Sequence, residues 1–146
     1  MTRTAAAIRE RLRVLVYSHD ALTRNQVVTA LGPRPHRDLP PFEYVEAAKP
    51  ESAVALLHTG GLGLAVLDGE ATPAGGMGIA KQAYDELHSR PPILLLLGRA
   101  DDAWLARWSR ADAAVGHPID PLRLAEAVIT LLITEADAVV SGGKAR

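Results

Sequence analysis

The sequence predicts a doubly wound α/β fold in which a five-stranded parallel sheet lies between two layers of helices. Five short apolar runs are each followed by a segment with helical spacing, and neighbouring parallel strands need such right-handed crossover helices. The chain has 146 residues, the size of one ordinary domain of roughly 100 to 150 residues. We therefore expect an extension over residues 1–12, then one domain over residues 13–133.

The predicted strands are short aliphatic runs, which are typical of strands buried on both faces of a parallel sheet. They cover Arg13–Tyr17, Phe42–Ala47, Leu64–Leu67, Ile93–Leu97 and Ala113–Gly116.

A helix is predicted after each strand. Asp20 is the expected N-cap of the first helix, which Gly32 and Pro33 end, and Pro50 fits the first turn of the second. Apolar residues at helical spacing mark the last three helices: Ile79, Ala83 and Leu87; Trp104, Leu105 and Trp108; Leu122, Ala125, Val128, Ile129 and Leu132.

Two segments fall outside this alternation. Residues 32–41 contain four prolines, which favour an extended surface loop, with a docking segment for a partner as the alternative. Ser141-Gly142-Gly143 near the end favours a flexible tail over residues 134–146, with no output domain after it.

Composition excludes several classes of function. A formal charge of -1 argues against general nucleic-acid binding, and the absence of cysteine excludes thiolate chemistry and cysteine-ligated metals. The longest aliphatic run, Ile93–Leu97, is too short to span a membrane. The amino terminus lacks the apolar core of a signal peptide. We expect a cytoplasmic protein that carries no membrane span.

Ligands of open α/β sheets bind outside the carboxyl ends of the strands. The residues at those ends are therefore the candidate site. They are Ser18, His19 and Asp20 after the first strand; Asp68, Gly69 and Glu70 at the third; Leu97, Gly98 and Arg99 at the fourth; and Gly116, His117 and Pro118 at the fifth.

At these positions the chain resembles the receiver domain of two-component response regulators, which has a flavodoxin-like three-layer fold. Val14-Leu15-Val16 before a polar cluster resembles the family's first strand. Leu67-Asp68, with Thr72-Pro73 and Gly78 after it, is similar to the stretch around the phospho-accepting aspartate. Ala111-Asp112 and His117-Pro118 resemble the segment that ends in Lys-Pro. The resemblance covers about residues 12–133 and implies that Asp68 is the phospho-acceptor candidate.

The chain departs from the family pattern around Asp68. Ser18 and His19 stand where the resemblance implies two acidic magnesium ligands, which leaves Asp68, the Glu70 carbonyl and Asp20 for the metal. Leu97 replaces the Thr or Ser that bonds the phosphoryl group. His117, which lacks a permanent positive charge, replaces the lysine. Ala114 stands at the aromatic switch position. Magnesium binding is expected to be weak or absent, and no other cofactor is expected.

The resulting interpretation is a stand-alone atypical receiver, not an enzyme, that signals through protein contacts with little or no phosphorylation switch. The first alternative is a conventional receiver that a histidine kinase phosphorylates on Asp68. The second is a small-ligand or flavin binder of the same architecture.

Two minor interpretations of the strand ends remain. His19, Asp68 and His117 form a conceivable transition-metal set, and Ser18, His19 and Asp68 a conceivable hydrolase triad. Trp104 and Trp108, four residues apart, indicate core or interface packing. The resemblance places them on the signalling face, and a homodimer through helices four and five is the corresponding hypothesis.

Overall fold

The computed structural model describes residues 11–71, 75–98 and 103–145. Most of the predicted extension over residues 1–12 lies outside this range. Thr72, Pro73 and Arg99, which the sequence analysis singled out, also lie outside the described residues.

The structure confirms the predicted fold class. A single sheet has the strand order β2-β1-β3-β4-β5, and all four strand pairs are parallel. The order reverses between β1 and β3, which places a crevice at their carboxyl ends. The strands are β1 (Leu12–Tyr17), β2 (Phe42–Ala47), β3 (Leu64–Asp68), β4 (Ile93–Leu97) and β5 (Ala113–Gly116). Leu12, which we had placed in the extension, pairs with Phe42 and belongs to the sheet.

The helices alternate with the strands as predicted. They are α1 (Ala21–Leu31), α2 (Pro50–Thr59), α3 (Gly76–Glu86), α4 (Ala103–Trp108) and α5 (Pro121–Ala145). None of the helices, as far as the described residues extend, has the length and apolar content to cross a membrane.

The last helix extends into the predicted flexible tail over residues 134–146. Helix α5 continues to Ala145 and includes Gly142 and Gly143, and the flexibility of this segment stays a prediction. Earlier turns of α5 are anchored by the buried Leu124, Val128 and Leu132. Propagating an established helix is easy, and each glycine costs only about 1 kcal/mol within it.

The core consists of two apolar layers on opposite faces of the sheet, because successive strand residues point to opposite sides. Leu15, Leu67 and Leu95 pack in the layer that includes α2 and α3. Val16 and Leu94 pack in the layer with α1 and α5. These central strands are buried on both faces and hold the strand ends in fixed positions.

The proline-rich loop between α1 and β2 lies at the surface, as predicted, and is anchored at one point. Leu39 is 5% exposed and belongs to the core layer of α1 and α5. Its N–H donates to the carbonyl of His36 at 3.0 Å, which closes a turn, so the loop is not extended throughout. Half of the ten residues are exposed: Pro33, Arg34, Arg37, Asp38 and Pro41. The alternative of a docking segment for a partner stays a prediction.

Candidate functional site

The candidate site is a crevice at the carboxyl edge of the sheet, beside the point where the strand order reverses. Its cavity has a volume of about 280 Å³. Asp68 ends β3 at its floor, and Ser18 follows β1 directly behind that carboxylate. The lining residues are His19, Asp20, Thr23, Asp68, Glu70, Gly98 and His117.

The carboxylate of Asp68 is buried, with 4% of its side chain exposed, and it accepts from three donors. The Ser18 hydroxyl donates to Oδ2 at 2.8 Å, and the backbone N–H of Glu70 donates to Oδ1 at 2.9 Å. The Nε2 atom of His117 lies 3.2 Å from Oδ1. Both carboxylate oxygens therefore have protein partners.

The Ser18 side chain is fixed from two sides. Besides donating to Asp68, its hydroxyl oxygen accepts from the backbone N–H of Asp20 at 3.0 Å. The guanidinium of Arg24 donates to the Ser18 carbonyl at 2.6 Å and to Glu46 at 2.9 Å. Ser18 itself is fully buried, so its hydroxyl supports Asp68 from beneath the lining of the crevice.

Asp20 is the N-cap of α1, as the sequence predicted. Its Oδ1 accepts from the N–H of Leu22 at 3.0 Å, and its Oδ2 accepts from the Thr23 hydroxyl at 3.2 Å. Because both oxygens serve the cap, this carboxylate is held at the helix start.

The end of β4 closes the crevice with apolar and backbone groups. Leu97 is 6% exposed and belongs to the core layer of α2 and α3. The Glu70 carboxylate lies over Gly98 so closely that a Cβ at residue 98 would overlap it. At this wall neither residue 97 nor residue 98 has a side chain that could donate a hydrogen bond to a ligand.

The charge of Asp68 affects the phenol of Tyr17 on the neighbouring strand β1. Burial, and secondarily the charges of Asp68 and Glu51, raise the pKa of the Tyr17 phenol above its ordinary value of 10.0. Tyr17 is the last residue of β1 and is fully buried. The folded protein therefore favours the neutral form of the Tyr17 phenol.

The magnesium ligand set implied by the resemblance does not fit this geometry. Asp68 is occupied by three protein donors, and Asp20 serves the cap of α1. Ser18 uses its proton toward Asp68 and offers a neutral oxygen where a carboxylate is implied. Magnesium prefers several anionic or carbonyl oxygens in octahedral geometry.

The structure brings some of the predicted site residues together and separates others. His117 lies against Asp68, and His19 is an exposed residue at the crevice rim. Across the described part of the chain, no group of three or more His, Asp or Glu side chains is arranged to hold a metal. The Ser18 hydroxyl donates to a carboxylate, which does not match a serine activated by an imidazole base.

Trp104 and Trp108 lie on the surface of α4, where they are 59% and 52% exposed. The prediction left core and interface packing open, and the core option was wrong. The Lys81 ammonium of α3 lies 6.0 Å from the centre of the Trp108 ring. We call the exposed rings of Trp104 and Trp108, with the Lys81 ammonium near Trp108, the aromatic surface.

Sequence reasoning missed Arg24 and Thr23, which support the crevice from α1. Arg24 joins the end of β1 to Glu46 of β2, and this role depends on the pairing of the two strands. Thr23 is buried beneath the cap. An available signal was the position of Thr23, three residues after the N-cap, where a side chain reaches back to the cap.

Comparison with known proteins identifies close relatives. Two response regulatory proteins of Mycobacterium tuberculosis, from strains CDC 1551 and H37Rv, are each 59% identical to this chain over 121 residues. The aligned region covers 83% of this chain and 91% of each relative. No family model matches the chain.

Solved structures share the fold at low identity. A CheY-like receiver domain of Methanospirillum hungatei has a TM-score of 0.71 at 19% identity and covers 86% of this chain and 97% of its own. The signal receiver domain of an HD domain-containing protein of Pseudomonas fluorescens has a TM-score of 0.73 at 17% identity, covering 88% and 91%. Chemotaxis protein CheY4 of Vibrio cholerae has a TM-score of 0.68 at 18% identity, covering 84% and 99%.

Proposed function

Because the chain belongs to the response regulatory proteins of two-component signalling and has their receiver fold, we propose that it is an atypical receiver. It acts through contacts with signalling proteins, and phosphorylation switches it little or not at all. Asp68 carries this proposal, since its buried carboxylate already accepts hydrogen bonds from three protein groups.

A phospho-accepting aspartate must present a free oxygen to the phosphorus atom. In this crevice Oδ2 is bonded to the Ser18 hydroxyl at 2.8 Å, and 4% of the side chain is exposed. Phosphoryl transfer depends almost entirely on positioning and charge neutralisation. The hydrogen bond from Ser18 lowers the electron density on Oδ2 and so makes this oxygen a weaker nucleophile.

The groups that would neutralise a phosphoryl dianion are also weakened. Leu97 has no hydroxyl with which to bond a phosphoryl oxygen. His117, in the position of the family's lysine, lies against Asp68 Oδ1. Among the described residues, no group of three or more His, Asp or Glu side chains is arranged to hold a metal, and a divalent cation offsets much of the charge in such reactions. The crevice thus supports a constitutive conformation.

Protein contacts are the remaining route for a signal. Trp104 and Trp108 expose more than half of their surface on α4, and tryptophan is enriched among residues that dominate binding energy at interfaces. We place the signalling contact, including any homodimer through α4 and α5, on this aromatic surface. A histidine kinase is one partner class that the family suggests.

The decisive experiment is phosphate-affinity gel mobility after incubation with a small phosphodonor and magnesium. We expect no mobility shift in the natural protein. A positive control is the variant that restores the family residues, Ser18→Asp, His19→Asp, Leu97→Thr and His117→Lys. A shift in the natural protein that disappears in Asp68→Asn would establish the conventional receiver and contradict the proposal.

The conventional receiver has one observation in its favour. Asp68 lies at the floor of a cavity of about 280 Å³ at the carboxyl edge of the sheet, where a phosphoryl group has room. The flavin-binding alternative has no comparable support, since the relatives are response regulatory proteins and the crevice is lined by short polar side chains.

The interface assignment needs its own test. Trp104→Ser with Trp108→Ser is expected to abolish any concentration-dependent dimer in sedimentation velocity. The matched control is Tyr84→Ser, which removes a half-exposed aromatic side chain from α3 instead of α4. A dimer that withstands the double substitution would place the contact elsewhere.

A further inference from the structure

The amino edge of the sheet, opposite the Asp68 crevice, contains a second cavity that the receiver function leaves unused. It has a volume of about 640 Å³. Its walls are the start of β1, the packed proline-rich loop and the segment Gly61-Leu62-Gly63 that leads into β3. We call it the arginine groove.

The arginine groove concentrates positive charge on a chain whose formal charge is -1. Arg11, Arg13, Arg34 and Arg37 line it, together with one carboxylate, that of Asp38. The lining groups therefore carry an excess of three positive charges. Clustered like charges repel one another, and a bound anion would relieve that repulsion.

Part of this cation cluster is already held in place. The guanidinium of Arg34 donates through Nε to the Leu39 carbonyl at 2.7 Å and through Nη2 to the Arg37 carbonyl at 2.8 Å. Leu39 is buried in the core, so the loop is anchored. A guanidinium has five N–H donors, which leaves Arg34 further donors for a ligand at little entropic cost.

The arginines reach the groove from two separate segments of the chain. Arg11 and Arg13 are two residues apart at the extended start of β1, on the same side of the chain. Arg34 and Arg37 come from the proline-rich loop. Apolar groups lie between the charges, from Leu12, Leu62 and Pro40. The groove thus combines charges on two sides with an apolar surface.

We propose that the arginine groove binds a small anion that carries two linked phosphate groups, as an inorganic or an organic diphosphate. One phosphate carries about 1.5 to 2 negative charges near neutral pH, so two offset the excess of three positive charges. Arginine is the preferred partner of phosphate because its fork bonds two oxygens. The volume lies within the range of roughly 300 to 1,000 Å³ for small-molecule sites.

Isothermal titration calorimetry at low salt tests this proposal with pyrophosphate, ADP and orthophosphate. We expect pyrophosphate or ADP to bind at least about tenfold more tightly than orthophosphate, a difference of about 1.4 kcal/mol. Pyrophosphate binding identifies an inorganic diphosphate as sufficient, and binding of ADP alone identifies an organic one. If neither binds more tightly than orthophosphate, the proposal is wrong.

Three variants locate the binding. Arg11→Ala with Arg37→Ala is expected to weaken it at least about tenfold, whereas Arg107→Ala with Arg123→Ala, which removes the same charge from α4 and α5, leaves it unchanged. Asp38→Asn removes the one carboxylate of the groove and is expected to tighten binding severalfold, a gain that misfolding cannot mimic. Equal losses in the two arginine pairs, or no gain from Asp38→Asn, would overturn the proposal.

The groove is independent of the receiver chemistry because the two sites lie at opposite edges of the sheet. Asp68→Asn is therefore expected to retain diphosphate binding in the same titration. Loss of binding in Asp68→Asn would contradict the assignment to the amino edge.

Discussion

At residue scale, the Ser18 hydroxyl donates a hydrogen bond to the Asp68 carboxylate. An ionised carboxylate at position 18 could not do so. Two carboxylates at this distance repel unless a cation lies between them. With a serine there, the buried carboxylate is stabilised by the protein alone. In the described part of the chain no buried side-chain nitrogen or oxygen lacks a hydrogen-bond partner.

Ser18→Ala tests the strength of this arrangement. The substitution removes one donor from a buried carboxylate and one acceptor from the N–H of Asp20. We expect the free energy of unfolding in urea to fall by about 1 to 3 kcal/mol. Ser89→Ala, at an exposed loop position, is the control and should change it by less than about 0.5 kcal/mol. Equal effects would mean that the hydrogen bond to Asp68 contributes little.

One buried and one partly buried tyrosine make the free energy of unfolding depend on pH in the alkaline range. The pKa of Tyr17 is raised by burial and by the charges of Asp68 and Glu51, and burial raises that of Tyr44. A raised pKa favours the neutral phenol in the folded state, so the stabilisation is complete below the ordinary value of 10.0. It is lost as the pH rises from there toward the folded-state value.

We therefore expect the free energy of unfolding to fall above pH 10, by up to about 1.4 kcal/mol per pH unit for each phenol. Tyr17→Phe should reduce the slope, and Tyr17→Phe with Tyr44→Phe should reduce it further. Urea titrations between pH 9 and pH 11 measure it. A slope unchanged in the double variant would refute the assignment to these phenols.

At the scale of elements, local signals predicted the strands and caps, while contacts distant in sequence remained hidden. Asp20 was predicted as the N-cap of α1 because capping involves neighbouring residues. By contrast, the bond from Ser18 to Asp68 joins residues 50 positions apart. The resemblance placed both residues at one edge, but their direct contact required the strand register and side-chain rotamers.

Two details of the elements were hidden for the same reason. The glycines near the end of the chain gave no sign that helix α5 extends through them. The prolines of residues 32–41 predicted a surface loop but not the burial of Leu39 that anchors it. The arginine groove was not predicted because its arginines lie on segments distant in sequence, the start of β1 and this loop.

The start of α3 offers a matched test of packing between elements. A Cβ at Gly76 would lie 2.7 Å from the Cβ of Leu67 and 2.8 Å from its carbonyl carbon, whereas a Cβ at Gly78 would meet nothing within 4 Å. Gly76→Ala must push α3 away from β3 and should destabilise the protein by about 1 to 3 kcal/mol. Gly78→Ala should stabilise it by about 0.5 to 1 kcal/mol. Chemical denaturation compares them, and a neutral Gly76→Ala would show that α3 is not tightly packed on β3.

At the scale of the whole molecule, the two edges of one sheet differ in their chemistry. Its central strands are buried on both faces by independent apolar layers, so the backbone does not need a ligand to hold the crevice. The carboxyl edge carries a self-contained carboxylate, and the amino edge carries an excess of cations. A receiver that signals in one constant conformation is consistent with this division.

The stability of the whole domain is expected to depend on magnesium only when the family residues are restored. In the natural protein the free energy of unfolding should be independent of magnesium, apart from a general salt effect, since Asp68 already has its donors. In the variant with Ser18→Asp, His19→Asp, Leu97→Thr and His117→Lys, three carboxylates would face one another at residues 18, 19 and 68. Their repulsion should destabilise the variant without metal. Bound magnesium should restore about 2.7 kcal/mol at one hundred times its Kd, because it binds only the folded state.

Thermal and urea unfolding across a magnesium titration measure this, with Asp68→Asn added to the four substitutions as the control that should weaken the response. A natural protein stabilised as strongly as the restored variant would show that the crevice has kept a working metal site, and the constant conformation would have to be abandoned.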